Sequence, residues 1–354
     1  MGALGDRFGR KRVLDAGLLV FAAASATAAW AQSPEMLIAA RAVLGIAAAM
    51  IMPATLSIVT AIFPPAERSR AIGVWAAMTG IGLVVGPAVG GWLLDSFWWG
   101  SVFLINVPVI GIALVGGLLL VPESQDPAAT PLDPLGAVLS ISGLSALVYA
   151  IIEAPNVGWT DARTLGAFGL AAVLLTFLVW WELRSAHPML QLDFFRDARF
   201  SAASVTLMLA MFAMFGTVFL LTQHLQFVLG YTAAQTGWRV MPIATLAIGA
   251  PLATGIAERV GTKAVVATGL VIVAGGLWRI ATVDVGEGYP PIGWALAVVG
   301  IGLGATMAPA THSVMGSVPA GRRGVGSATN SATRQVGDAL GVAVLGSMLS
   351  SSYR

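Results

Sequence analysis

No cysteine occurs anywhere in the 354 residues. That absence excludes disulfide frameworks, thiol nucleophiles and cysteine-ligated metals, and it leaves the compartment unreadable from redox chemistry. Charge is almost as scarce. Lys, Arg, Asp and Glu make up 10% of the chain, against roughly a quarter in ordinary soluble domains. A soluble fold of this length needs a polar surface that such a composition cannot supply. The net charge of +2 offers no basic footprint for nucleic acid. The three histidines, His187, His224 and His312, fall on different segments without the spacing of a metal site. Nor do paired carboxylates or His–acid clusters converge as an enzyme's active site requires. No cofactor, metal or catalytic group is therefore expected. Apolar residues fill the gap: 57% of positions are hydrophobic and mean hydropathy is +0.85, so lipid must cover most of the chain.

Crossing about 30 Å of hydrocarbon at about 1.5 Å per residue takes roughly 18 or more apolar residues. Eleven segments qualify, near 13–31, 36–63, 71–94, 102–121, 135–152, 164–181, 200–222, 240–257, 264–283, 291–315 and 325–349. The 42 glycines would weaken soluble helices, but between helices in lipid they permit close approach. Barrel strands would be shorter and would alternate. The expected fold is thus an all-α membrane bundle. A basic stretch followed by an apolar run ending Ala29-Trp30-Ala31 also resembles a secretory signal, but ten further apolar segments follow it.

Threading the chain back and forth sorts the basic loop residues into two sets. One holds Arg7, Arg10, Lys11, Arg12, Arg68, Arg70, Arg184, Arg196, Arg199, Arg259, Lys263, Arg322 and Arg323; the other holds only Arg163, Arg239 and Arg354. The positive-inside rule makes the first set cytoplasmic, which puts the N-terminus inside and the C-terminus outside. Tryptophans cluster near the outer ends (Trp30, Trp92, Trp98, Trp99, Trp159, Trp238, Trp278, Trp294) and the inner ones (Trp75, Trp180, Trp181), as interfacial belts require.

Residues Asp6 to Gly17 recur without gaps as Glu258 to Gly269, with five identities and the leading acid kept. Both copies precede an apolar segment in a short cytoplasmic loop, with eight segments between them. Many transporters are built from such repeats and bind substrate at the interface between them.

Around this repeat the sequence resembles the major facilitator superfamily. Gly2-Ala-Leu-Gly-Asp6-Arg7-Phe-Gly9-Arg10-Lys11 matches its loop motif between the second and third helices, and Glu258, Arg259, Gly261 and Lys263 match the equivalent loop of the second half. An eight-helix separation resembles the 14-helix drug:proton antiporter branch, the EmrB/QacA subfamily, in which two extra helices join the halves. Arg41-Ala-Val-Leu-Gly45, the antiporter motif Gly82-Leu-Val-Val-Gly86-Pro87-Ala-Val-Gly90-Gly91, Phe103-Leu-Ile-Asn106-Val-Pro108 and Asn330 through Arg334-Gln335-Val-Gly337 follow in family order. The resemblance implies three parts: a bundle at 1–121 without its first two helices, a linking pair of helices at 122–199, and a second bundle at 200–354 without its last helix. It implies proton-coupled export of amphipathic, often cationic molecules across the cell membrane by alternating access. Two departures stand out: Trp99-Gly100-Ser101 where the branch has Trp-Arg-Trp, and Asp338 where the family usually has glycine.

Physical roles follow for the residues of these motifs. A carboxylate such as Asp6 beside a cytoplasmic helix start can satisfy free N–H groups and the positive helix end. The family reading makes Asp6 and its basic neighbours Arg7, Arg10 and Lys11 a gating latch, and the bland reading makes them a topology signal. Pro87 removes one backbone hydrogen bond amid closely spaced glycines, serving either packing or a bend that seals the pathway. Arg41 lies inside the second span, at a position the resemblance links to proton coupling. Arg334 and Asp338, four apart on one helix face, can neutralise each other. Asp15 and Arg279 lie near span ends, where snorkelling accounts for them. Met208, Met211, Phe212, Met214, Phe215 and Phe219 crowd the seventh span as packing or as an adaptable pocket. Export of one specific metabolite, a non-functional transporter fragment and a membrane enzyme are the rival readings.

Overall fold

All eleven apolar segments are helical in the computed structural model, which describes residues 5, 7–123, 133–185, 188–318 and 323–352. The helices are α1 (Arg10–Ala29), α2 (Pro34–Ile62), α3 (Pro65–Ser96), α4 (Ser101–Leu104), α5 (Asn106–Leu120), α6 (Pro134–Val157), α7 (Ala162–Glu182), α8 (Ala198–Gln223), α9 (Ala233–Val240), α10 (Leu246–Val260), α11 (Thr262–Ala281), α12 (Pro290–Ser317) and α13 (Arg323–Ser352). No strand occurs among the described residues. Among the described residues nine candidate spans are long and apolar enough to cross a membrane, and α3 and α13 are further helices of 32 and 30 residues. Asp6, His187, Arg322 and Arg354 lie outside the described residues, as do the side chains of Arg68, Arg70, Trp75 and Arg323.

Helix starts follow local chemistry. Ser33 accepts from the Met36 N–H at 3.2 Å, Asp133 from Gly136 at 2.8 Å, Asp161 from Arg163 at 2.8 Å and Asp197 from Arg199 at 2.7 Å. Each satisfies one of the orphan donors of a first turn. Two expected spans turn out to be broken rods. The fourth divides at Ile105 into α4 and α5, because Pro108 has no N–H to return to the Leu104 carbonyl. The eighth runs through a 3₁₀ turn at Met241–Thr245, which contains Pro242.

The helices form two compact units, Met1–Leu132 with Thr232–Trp238, and Asp133–Tyr231 with Arg239–Arg354. In the first, α1 packs on α2 and α5 around Leu14, Leu18, Ala54, Ile58 and Ile110. Asn106 of the Phe103–Pro108 motif donates to Ser25 of α1 at 3.2 Å, a polar tie between helices of the kind lipid favours. Gly100, one of the two departures, lies with its Cβ position against the Ala29 carbonyl. An arginine there would have no room while α1 ends so close.

In the second unit α8, α10, α11 and α13 surround the buried face of α12, whose Leu296, Val299, Leu303 and Val314 are almost fully covered. Met211 and Met214 of the seventh-span stripe belong to this core. Apolar residues left over in each unit are uncovered: Ile112, Leu119 and Leu120 in the first and Val271 in the second are 70–80% exposed. So much uncovered apolar surface is what a lipid-facing bundle presents.

Where α9 meets the start of α12, Arg239 lies 3.7 Å over the Tyr231 ring and 5.4 Å from the Tyr289 ring centre. The Tyr289 hydroxyl donates to the Arg239 carbonyl at 2.8 Å. Burial pushes the Tyr289 phenol above its ordinary range, partly offset by the Arg239 charge. The folded state thus holds this proton more tightly than the unfolded chain does. Its contribution to stability is complete below the ordinary phenol value of about 10 and is lost as pH rises through the raised folded value. Tyr289→Phe is expected to cost about 1 kcal/mol at neutral pH and to flatten the alkaline limb of a stability–pH profile in detergent.

Candidate functional site

The repeated loop has one backbone design used twice. At Gly9, φ is 105° and ψ 124°; at Gly261, φ is 89° and ψ 144°. In both copies the two residues before the glycine are helical, Arg7 and Phe8 in one and Arg259 and Val260 in the other; one glycine turns the chain, and the next helix begins at once. A side chain at such positive φ is strained, so the glycine of the motif is required by backbone geometry.

The two copies differ in what meets them. Glu123, three residues beyond the end of α5, places Oε1 3.2 Å from the Lys11 backbone nitrogen, which donates to it, and Oε2 3.6 Å from Arg12 Nε. It occupies the space a Cβ on Gly9 would need, with Oε1 only 2.6 Å from that point. Lys11 Nζ donates to the Leu118 carbonyl at 3.3 Å. A carboxylate therefore caps α1 at its positive end among three basic residues. Sequence reasoning overlooked Glu123; Asp6, of which the same role is expected, lies outside the described residues. The signal was present in an acid just past an apolar run, at the same membrane face as Arg10, Lys11 and Arg12, but only tertiary structure brings them together. In the second copy Glu258, Arg259, Gly261 and Lys263 are all exposed, and no described atom lies within 4 Å of a Cβ built on Gly261. Arg7 lies over the neighbouring Phe8 ring at 5.6 Å.

The antiporter motif lies on α3. Around Gly82, Gly86 and Gly90 no described atom comes within 4 Å of a built Cβ, and Pro87 is exposed. Gly91 is the buried one, and its Cβ would collide with the Ala233 carbonyl of α9. Reciprocally, a Cβ on Gly237 would strike the Pro87 carbonyl. Asp95 Oδ2 accepts from the Ala234 N–H at 3.2 Å, just beyond. The close approach thus runs through Gly91 and Gly237, a residue of α9 that sequence reasoning did not single out.

Arg41 is exposed on α2. Arg334 and Asp338 sit one turn apart on α13, yet no N···O approach within 4.0 Å joins them, and Asp338 Oδ1 is covered without a hydrogen-bond partner. Asp15 Oδ1 is likewise covered and unpartnered, whereas Arg279 pairs with Glu287 at 2.6 Å. A cleft of about 400 Å³ opens between α10 and α12, lined by Leu246, Ala250, Met307, Thr311, His312 and Met315. Its size lies in the range of ordinary ligand pockets of about 300–1,000 Å³.

These features define a multi-pass helical membrane protein with a duplicated helix–glycine–helix loop. The Major Facilitator Superfamily profile matches residues 1–342, and the chain belongs to that superfamily, a family of transporters. It is 38% identical over 349 residues to the multidrug resistance protein Stp of Mycobacterium tuberculosis, covering 98% of this chain and 65% of Stp. With the methyl viologen resistance protein SmvA of Salmonella typhimurium it shares 33% identity over 358 residues, covering 100% of this chain and 72% of SmvA. The chain thus spans about two thirds of the length of such relatives. Among solved structures, a bacterial homologue of the human lysosomal transporter Spinster shares the fold, with a TM-score of 0.61 at 18% identity over 98% of this chain and 69% of that one.

Proposed function

We propose that this chain belongs to a proton-coupled exporter of amphipathic, often cationic small molecules, of the 14-helix branch, working by alternating access in the cell membrane. The observation that carries the reading is the pair of loops at Gly9 and Gly261, alike in backbone and sequence and eight spans apart in a chain of this superfamily. The names of the relatives, multidrug resistance and methyl viologen resistance, support the cargo class. Residues 1–121 and 200–354 act as the two bundles and 122–199 as the linking pair, with the N-terminus in the cytoplasm. The loops around Asp6, Arg7, Gly9, Arg10 and Lys11, and around Glu258, Arg259, Gly261 and Lys263, serve as cytoplasmic latches. Arg41 serves proton coupling, and Gly82, Gly86, Pro87, Gly90 and Gly91 serve the outer seal. The apolar cleft beside His312 offers a surface to the greasy part of a cargo.

Proteoliposomes carrying the protein, loaded with a panel of fluorescent cations, test the reading. Dye movement should follow an imposed pH gradient and stop when an ionophore collapses it. Dye movement indifferent to the gradient across the whole panel would overturn the proposal.

A further inference from the structure

Asp338 is the sixteenth of the 30 residues of α13, far from either terminus, and the packing fixes its depth. Its neighbour Gly337 abuts the Met208 carbonyl of α8, and Gly341 abuts that of Phe212. Met208 is nine residues beyond Arg199, or about 13 Å along a helix axis. This packing sets Asp338 level with the interior of the candidate span Ala198–Val228, a depth at which an ionised carboxylate without a partner is costly. Its Oδ1 is shielded from solvent and meets no donor among the described residues. The helices packed against α13 are α8, α6 and α12. Their ionisable side chains are Arg199 on α8, Tyr149 and Glu153 on α6, and His312 on α12. On α13 itself, Arg334 is the cation one turn away.

A carboxyl with a covered, unpartnered oxygen has two stable conditions here. It can carry a proton, or it can lose the proton and be balanced by Arg334. In the first condition Arg334 is left as an uncompensated positive charge; in the second the pair is neutral. Proton loading thus changes the local charge from zero to plus one and repels any cation nearby. We propose that Asp338 is a proton-exchange site whose loading, by uncovering the charge of Arg334, expels a lipophilic cation. The inference rests on the reading of the chain as an exporter of cations. The step moves one proton onto Asp338 Oδ1 from water and returns it to water, with Arg334 charged throughout. Because linkage is reciprocal, a bound cation must equally promote release of the proton. Mutual exclusion of this kind is what exchange of a proton for a cation requires.

Two measurements on the purified protein in lipid test this. Acid-minus-base infrared difference spectra should show a carboxylic-acid band that shifts with isotope-labelled aspartate, disappears in Asp338→Asn and survives in Glu153→Gln. Labelling assigns the band to aspartate even if the Asn variant fails to fold. Tetraphenylphosphonium should bind more weakly as pH falls, by up to about tenfold per unit. That dependence should vanish in Asp338→Asn; in Arg334→Gln, where loading still raises the local charge by one unit, both the band and the dependence should persist, with tetraphenylphosphonium bound more tightly throughout. An infrared band unchanged in Asp338→Asn, a band insensitive to labelled aspartate, or a pH dependence of binding that survives Asp338→Asn overturns the proposal. If tetraphenylphosphonium fails to bind the native protein at any pH, the cation-export reading falls, and the infrared spectra alone decide whether Asp338 exchanges protons.

Discussion

Gly9→Ala should destabilise the folded protein by about 2–4 kcal/mol, and Gly261→Ala by only about 1–2 kcal/mol, although the two residues occupy the same position of a repeated motif. Both start from positive φ, 105° and 89°, so both substitutions carry the backbone strain. Only at Gly9 does the new methyl also meet a neighbour, Glu123 Oε1 at 2.6 Å. Moving that carboxylate away uncaps the Lys11 N–H and separates it from Arg12. The ion pair is largely exposed and contributes little; the cap is the larger loss, about 1 kcal/mol. Glu123→Ala should therefore lower stability by itself and, combined with Gly9→Ala, cost less than the sum of the two. Loss of helical circular dichroism in detergent, on heating or with added denaturant, reports all four variants. Equal effects of Gly9→Ala and Gly261→Ala, or strict additivity with Glu123→Ala, would show that the carboxylate does not govern this loop.

The contrast between those glycines shows how far sequence reasoning reaches in this protein. The positions of the apolar helical segments were legible because lipid imposes a length and an apolar composition on every span, whatever its partners, whereas the breaks at Ile105 and at Met241–Thr245 were not. The repeat was legible for a similar reason, since a turn at positive φ demands glycine locally. Contacts set by tertiary packing were not. Glu123 reaches Lys11 across 112 positions of sequence, and nothing at either end announces the other. The spacing Gly82, Gly86, Gly90 reads as a close-packing stripe, yet the backbone contact is made by Gly91, one residue off that stripe. Spacing fixes which residues share a face but not which face meets a neighbour. The pairing of Arg334 with Asp338 was inferred from their separation of four, which brings side chains within reach without joining them. Side-chain rotamers decide the rest, and here Asp338 Oδ1 stays unpartnered.

Replacing Gly91 with leucine should strongly disfavour the crossing of α3 with the start of α9. Its Cβ would have to occupy the position of the Ala233 carbonyl, and backbone on both sides of the contact leaves no flexible side chain to yield. Overpacking of this kind typically costs about 1–3 kcal/mol, so the closed crossing should lose roughly five- to 150-fold in population relative to any arrangement that separates the helices. The natural absence of cysteine makes the measurement direct. Asp95 and Ala234 already join by a hydrogen bond of 3.2 Å, and the pair Asp95→Cys/Ala234→Cys should form a disulfide under mild oxidation. Adding Gly91→Leu should slow that reaction by about five- to 150-fold, whereas Gly82→Leu, with no described neighbour within 4 Å, should leave it within a factor of about two. Undiminished cross-linking in the Gly91 variant would mean that the crossing tolerates bulk and that the glycine serves something else. A loss of cross-linking coupled to dye leakage through proteoliposomes would tie this one backbone contact to the seal proposed for the motif.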